Sequence, residues 1–311
     1  MFHLPCRVRW SPAITLIALL LLPDPARAAE TPPSQADHRA EIEAAWQAAN
    51  KVSTSGPACI PLLDQAQLQL PAGDTFIPKA EAGGLLRAYG NQIDPSLVGA
   101  VVGTVQGSNC LVIVRFIKDG YVQDDDAKDW QADTLLQKLR DGTDSANKDR
   151  IVRGYPALDI LGWIQPPRYD ATTHRLVWSL SLRNRGAPAD QPQAVNYNTY
   201  ALGRDGYFSL NLLTNAANIE AHKPIAHSLL AGLAYGRGKR YEDFDGSTDK
   251  VAGYGLAALV GVVAVKKLGL LAGLGVFLVK AWKLGLLAIA GVGAAIRRFF
   301  KRSSPAGKWD Q

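Results

Sequence analysis

Methionine occurs once, at the initiating position, and cysteine three times, at Cys6, Cys59 and Cys110. No C-x-x-C is present, so neither a dithiol redox motif nor a cysteine-rich zinc site is indicated. The five histidines include no H-E-x-x-H, and His174, His222 and His227 each stand without a partner at metal-ligand spacing. No serine sits in a G-x-S-x-G elbow. The glycine-rich string at 269–275 has the wrong spacing for a phosphate loop and no Lys-Ser/Thr after it. These absences remove the common hydrolase, metalloprotease and nucleotide-binding signatures, and no cofactor is predicted.

Acidic residues are nearly missing from one region. Residues 250–311 hold ten Lys/Arg and a single acid, Asp310, whereas 29–249 hold 21 basic and 26 acidic residues. The basic pI of 9.2 therefore belongs to the C-terminal segment. It points to anionic lipid headgroups. Nucleic acid would want the basic patch on the folded domain and is not a predicted partner.

That C-terminal segment reads as three apolar blocks with positive punctuation. Val251–Val265 lies between Lys250 and the pair Lys266 and Lys267; Leu268–Val279 is followed by Lys280 and Lys283; Leu284–Ile296 is closed by Arg297 and Arg298. A spanning helix wants about 20 apolar residues, and snorkelling lysines stretch a shorter one. The recurring lysines between Gly/Ala/Leu/Val runs predict a membrane anchor over 250–302, before a short polar tail at 303–311. Ser247-Thr248-Asp249 supplies a predicted N-cap for its first helix. One pass and three passes both stay open.

The N-terminus has the three parts of a secretory signal: Arg7 and Arg9, the apolar run Ala13–Leu22, and the small-residue site Ala26-Arg27-Ala28. Residues 1–28 are thus predicted to be removed, leaving an exported domain at 29–249 on the inner membrane. The positive-inside rule then puts the C-terminus in the cytoplasm. In an oxidising compartment Cys59 and Cys110 form a candidate disulfide, with two free thiols as the alternative.

Within 29–249 the periodicity predicts an α+β fold: an antiparallel sheet flanked by helices, followed by the helical anchor. Helical stripes occur at Ile42, Ala45, Trp46 and Ala49, at Ala82, Leu85, Leu86 and Tyr89, and at Ala226, Leu229, Leu230 and Leu233. Arg175–Arg183 alternates as a strand with one buried and one more polar face. Val195–Leu202 and Tyr207–Leu213 read as a hairpin.

Two places offer chemistry. Asp124, Asp125, Asp126 and Asp129 cluster ahead of a helical stripe, where they cap the helix or, with clustered carboxylates, hold a divalent cation. The spacing is not that of a calcium loop. Asn196, Tyr197, Asn198 and Tyr200, with Arg204 in the adjoining turn, form a polar, aromatic strand that is either a small binding face or the solvated face of a sheet.

The strings GYVQDDDAKDW, GWIQPPRYDATTHRLVWSL, VNYNTYALGRDGYFSLNL and GKRYEDFDGSTDKVAGYGLAA resemble an uncharacterised bacterial family of membrane-anchored proteins with a domain of unknown function. The resemblance covers about Gly56–Phe300. It implies the anchored architecture and assigns no activity. The expected function is a non-enzymatic binding or scaffold module at the cell envelope, with an envelope protein partner or self-association. The alternative is a metal-assisted hydrolase using the Asp124–Asp129 carboxylates.

Overall fold

A computed structural model describes residues 35–260, apart from 90, 92, 106, 153 and 154. The signal segment and residues 261–311, with Lys266, Lys267, Lys280, Lys283, Arg297 and Arg298, lie outside the described residues. Helix α1 (Gln35–Val52) leads to the short strands β1 (Thr54–Ser55), β2 (Ala58–Leu62), β3 (Ala66–Leu70) and β4 (Thr75–Pro78), then to α2 (Lys79–Ala88). Strands β5 (Leu97–Val105), β6 (Ser108–Ile117) and β7 (Tyr121–Gln123) precede a 3-10 turn at Asp125–Lys128 and the long helix α3 (Ala132–Val152). Four long strands follow: β8 (Leu158–Asp170), β9 (Arg175–Asn184), β10 (Ala194–Leu202) and β11 (Tyr207–Asn215). The described chain ends with α4 (Ile219–Gly232), β12 (Leu233–Tyr235), a 3-10 turn at Tyr241–Asp243, β13 (Val251–Gly255) and another 3-10 turn at Leu256–Leu259.

The main sheet has eight antiparallel strands in the order β1-β4-β5-β6-β11-β10-β9-β8. Its antiparallel, helix-flanked α+β character agrees with the periodicity. Alternation predicts one polar face for β9, but a layer covers each side of the sheet. Leu176, Trp178, Leu180 and Leu182 pack in one core with Leu85 and Leu86 of α2 and Leu135 and Leu139 of α3. The opposite face, including Val112, Val114, Leu210 and Leu212, packs on α4 and a small sheet ordered β12-β3-β2. Ser179 and Ser181, on the face expected to be the more polar, are consequently buried.

Helix α3 runs unbroken through Gly142. Its polar face is docked, not solvated. The Asn147 amide donates to the Leu158 carbonyl (2.9 Å) and accepts from the Leu158 N–H (2.8 Å), clamping the helix to β8. Near the other end, the Trp46 indole donates to the Tyr89 hydroxyl at 2.9 Å, joining α1 to α2.

The largest correction concerns the C-terminal boundary. Val251–Gly255, assigned from sequence to a membrane helix, is a strand paired in parallel with β7. Ala252, Leu256, Leu259 and Val260 are buried in the core that holds α2 and α3. Lys250 does not flank a membrane helix: its carbonyl accepts the Tyr121 N–H at 2.8 Å. Asp249 caps no helix either, because both its oxygens hold Arg204, at 2.6 and 2.7 Å. The fold therefore extends to Val260. Among the described residues no helix is long and apolar enough to cross a membrane.

Candidate functional site

Side chains alternate along a strand, so β10 sends Asn196, Asn198 and Tyr200 to one face and Tyr197 to the other. All nine residues of β10 are buried. Across the register, Tyr200 faces Ser209 and Asn198 faces Asn211 on β11. Ser209 in turn faces Arg115 on β6. On the other flank, Asn198 faces Trp178 of β9, and Asn196 faces Leu180, whose β8 partner is Trp163. The pairing thus assembles one contiguous polar patch in the middle of the sheet. Leu111, Ile113, Ile117, Leu176 and Leu213 frame it.

The patch is internally under-bonded. Asn211 Nδ2 donates to Asn198 Oδ1 at 2.6 Å, and Arg115 Nε donates to Asp94 Oδ2 at 3.1 Å. Eight further buried atoms make no well-formed hydrogen bond among the described residues, although the Trp178 indole acts on the Tyr200 hydroxyl and the Tyr254 hydroxyl on that of Tyr207. Three are fixed donors, Arg115 Nη1, Trp163 Nε1 and Trp178 Nε1; three are the hydroxyls of Tyr200, Tyr207 and Ser209; two are the carbonyl oxygens of Asn196 and Asn211. An orphaned buried polar group costs about 1–3 kcal/mol. Eight together rival the whole stability of a domain, about 5–15 kcal/mol. Polar groups gathered this way at a sheet centre call for water or a ligand to complete their hydrogen bonds.

Aromatic rings line the patch in series. Trp163 meets Trp178 edge-on (6.2 Å between centroids), Trp178 stacks on Tyr200 (6.4 Å), and Tyr200 meets Tyr207 at 5.9 Å. Burial raises the Tyr200 and Tyr207 phenols above their ordinary range, so both stay protonated. Burial also pulls the Arg115 guanidinium down despite the Asp94 carboxylate beside it.

The aspartates of the cluster turn to different partners. Among the described residues no group of three His, Cys, Asp or Glu could hold an ion. Asp124 accepts the Tyr169 hydroxyl at 2.6 Å, and that hydroxyl lies 3.0 Å from His174 Nδ1. Asp126 instead accepts the N–H groups of Leu256 and Ala257, both at 3.0 Å. Asp125 and Asp129 are exposed. Capping is what Asp126 does, but for a turn some 130 residues away. Asp126→Ala is expected to cost about 1 kcal/mol and to speed amide exchange at Leu256 and Ala257; unchanged exchange would show that the cap is idle.

The other sequence candidates separate. Tyr197 lies on the α4 side of the sheet, its hydroxyl 2.9 Å from Gln165 Oε1 and 2.7 Å from His227 Nε2. Arg204 is committed to Asp249, whose carboxyl its hydrogen bonds hold down at about 2. Neither belongs to the patch. Cys59 and Cys110 are both free, one exposed and one buried. The expected disulfide fails because the two strands belong to different sheets: β2 pairs with β3, while Cys110 sits opposite Gly103 in the main sheet.

Burial pushes the Cys110 thiol up to about 12, and pushes the Asp74 carboxyl up to about 6. A raised carboxyl contributes fully below its unfolded value, near 4, and that contribution is lost as pH rises toward 6. Asp74→Asn should therefore leave stability unchanged near pH 4 and raise it by about 2–3 kcal/mol at pH 7. Parallel pH–denaturation curves for the two proteins would remove the assignment.

The model of a family described as a protein of unknown function (DUF2167) matches residues 54–290. The chain belongs to this family. The match begins at the first residue of β1 and takes in every residue of the patch. No curated protein matches the chain. Among solved structures, the solution structure of cyanobacterial PsbP (CyanoP) from Synechocystis sp. PCC 6803 is similar at 11% identity and a TM-score of 0.33. That likeness covers 59% of this chain and 91% of that one, and it is too loose to inform the site.

Of the binding candidates, the DUF2167 fold brings together Asn196, Asn198 and Tyr200. Arg115, Trp163, Trp178, Tyr207, Ser209 and Asn211 join them without having stood out as site residues by periodicity. A signal was available: Arg115 interrupts the apolar run LVIVRFI, and Ser209 and Asn211 recur at period two in YFSLNLL. A polar residue repeated on one face of an otherwise apolar strand marks a special interior.

Proposed function

We propose that this DUF2167 protein is a non-enzymatic binding module of the cell envelope, with the polar patch on β10 and β11 as its ligand site. The carrying observation is the set of eight buried polar atoms gathered on one sheet face without a well-formed hydrogen bond among the described residues. The convergence of aromatic walls with a few directed polar groups is what small-molecule sites share. The net acidic exported domain and the lysine-punctuated apolar blocks at 268–296 support attachment at the inner membrane, domain outside and C-terminus inside. With the fold reaching Val260, the anchor begins at 261, eleven residues later than hydropathy alone suggests.

Native mass spectrometry of the full-length protein released from membranes tests the binding reading. The expected spectrum contains a bound small molecule that Asn198→Leu removes. Bare chain alone in both samples would overturn it. Phosphatase and fluorescent reporters fused after Val260 and after Arg302 test the placement, with phosphatase activity expected only at the first. Fluorescence after Val260 would put the domain in the cytoplasm and end the envelope assignment.

A further inference from the structure

We propose that the ligand is a small organic acid, its carboxylate received by the row Arg115–Ser209–Tyr200 and its body laid against Trp163 and Trp178. This rests on the binding reading above and names the ligand's chemistry. The under-bonded groups are unequal: three can only donate, three are hydroxyls that donate readily, and two can only accept. A molecule that completes the patch must therefore bring more acceptors than donors.

Charge narrows the choice further. Arg115 is 7% exposed, and its one carboxylate partner bonds only Nε, leaving Nη1 unpartnered among the described residues. Asp94 is itself 31% exposed and shares its charge with the Ser96 N–H at 2.8 Å. The guanidinium is under-compensated on its interior side. Arg115, Ser209 and Tyr200 lie on three adjacent strands in register, their backbones about 5 Å apart at each step. That row offers a carboxylate charge-assisted hydrogen bonds, the stronger kind. An amine would meet the guanidinium head-on.

The register also sets a length. Asn211 lies two residues along β11 from Ser209, a rise of about 7 Å. A ligand reaching from the donor row to the Asn211 carbonyl needs an N–H or O–H at roughly that distance. The indoles between favour a flat, unsaturated body.

Three matched fragments test the class: benzoate, benzamide and benzylamine, titrated into the full-length protein in detergent. The readout is the fluorine spectrum of 5-fluorotryptophan, with Trp163 and Trp178 assigned by Trp163→Phe and Trp178→Phe. Benzoate should shift both signals saturably, benzamide should bind at least about tenfold more weakly, and benzylamine should do nothing. Ser209→Ala and Tyr200→Phe, which each remove only a hydroxyl, should weaken benzoate by about tenfold. Benzamide binding as tightly as benzoate would overturn the acid class while sparing the binding site. Benzoate binding unchanged in both variants would overturn the donor row. Silence from all three fragments would bring down the binding reading itself.

Discussion

A chain ended after Asp249 should fail to melt cooperatively, whereas one ended after Val260 should keep the fold. The first cut removes Leu256, Leu259 and Val260, each 0% exposed, along with Ala252. Burying a leucine or valine contributes about 1.5–3 kcal/mol, so these three alone amount to roughly 5–9 kcal/mol as an upper estimate. That is comparable to the entire stability of an ordinary domain. The cut also strips the parallel pairing with β7, the Tyr254 hydroxyl bond to Asp119, and the acceptance of two N–H groups by Asp126. The second cut touches none of these. Calorimetry of the two chains decides: if both melt alike, the strap at 251–260 is not part of the folded unit.

That strap shows why the sequence misleads at one end of the domain. Membrane and protein core are both apolar solvents, and VAGYGLAALV is equally at home in either. What separates them is partners far away in the chain, and a local pattern carries no record of those. Asp126 bonds residues 130 positions on. Tyr254 reaches back 135 to Asp119. The helices α1, α2 and α4 were legible because a 3.6-residue stripe is a local property of the sequence. The strands were legible for the same reason. Which face of β9 would meet solvent was not, since that depends on whether a second layer covers it. The β10 residues were singled out by polarity but split by the pleat: Asn196, Asn198 and Tyr200 reach the patch while Tyr197 points to α4. Arg204 shared their neighbourhood in sequence and none of their surroundings in space. Arg115 and Ser209 joined through strand register, which a single sequence does not reveal.

Removing polar atoms from the patch should make the ligand-free protein more stable. Ordinary core substitutions destabilise, so the sign distinguishes a site from a packed interior. Ser209 and Tyr200 are both 0% exposed, and neither hydroxyl makes a well-formed hydrogen bond among the described residues. Each pays desolvation with no well-formed bond in return, at about 1–3 kcal/mol. Ser209→Ala and Tyr200→Phe delete that cost without opening a sizeable cavity, since one oxygen leaves in each case. Together they should raise stability by about 2–4 kcal/mol, which for a domain of this size moves Tm upward by several degrees. The same pair should abolish ligand binding, since both residues sit in the row beside Arg115. Stability gained while binding is lost is the signature of polar groups kept for function. A double variant that melts lower than the parent would mean that the hydroxyls are already satisfied, by ordered water or by other parts of the chain, and the patch would then be a hydrated core rather than a site. The Trp178 indole offers an internal control. Trp178→Phe removes another under-bonded donor but also much ring area in contact with Trp163 and Tyr200, so lost packing should outweigh the relieved N–H and lower stability. Opposite signs for the hydroxyl and indole variants would separate desolvation from packing at a single site.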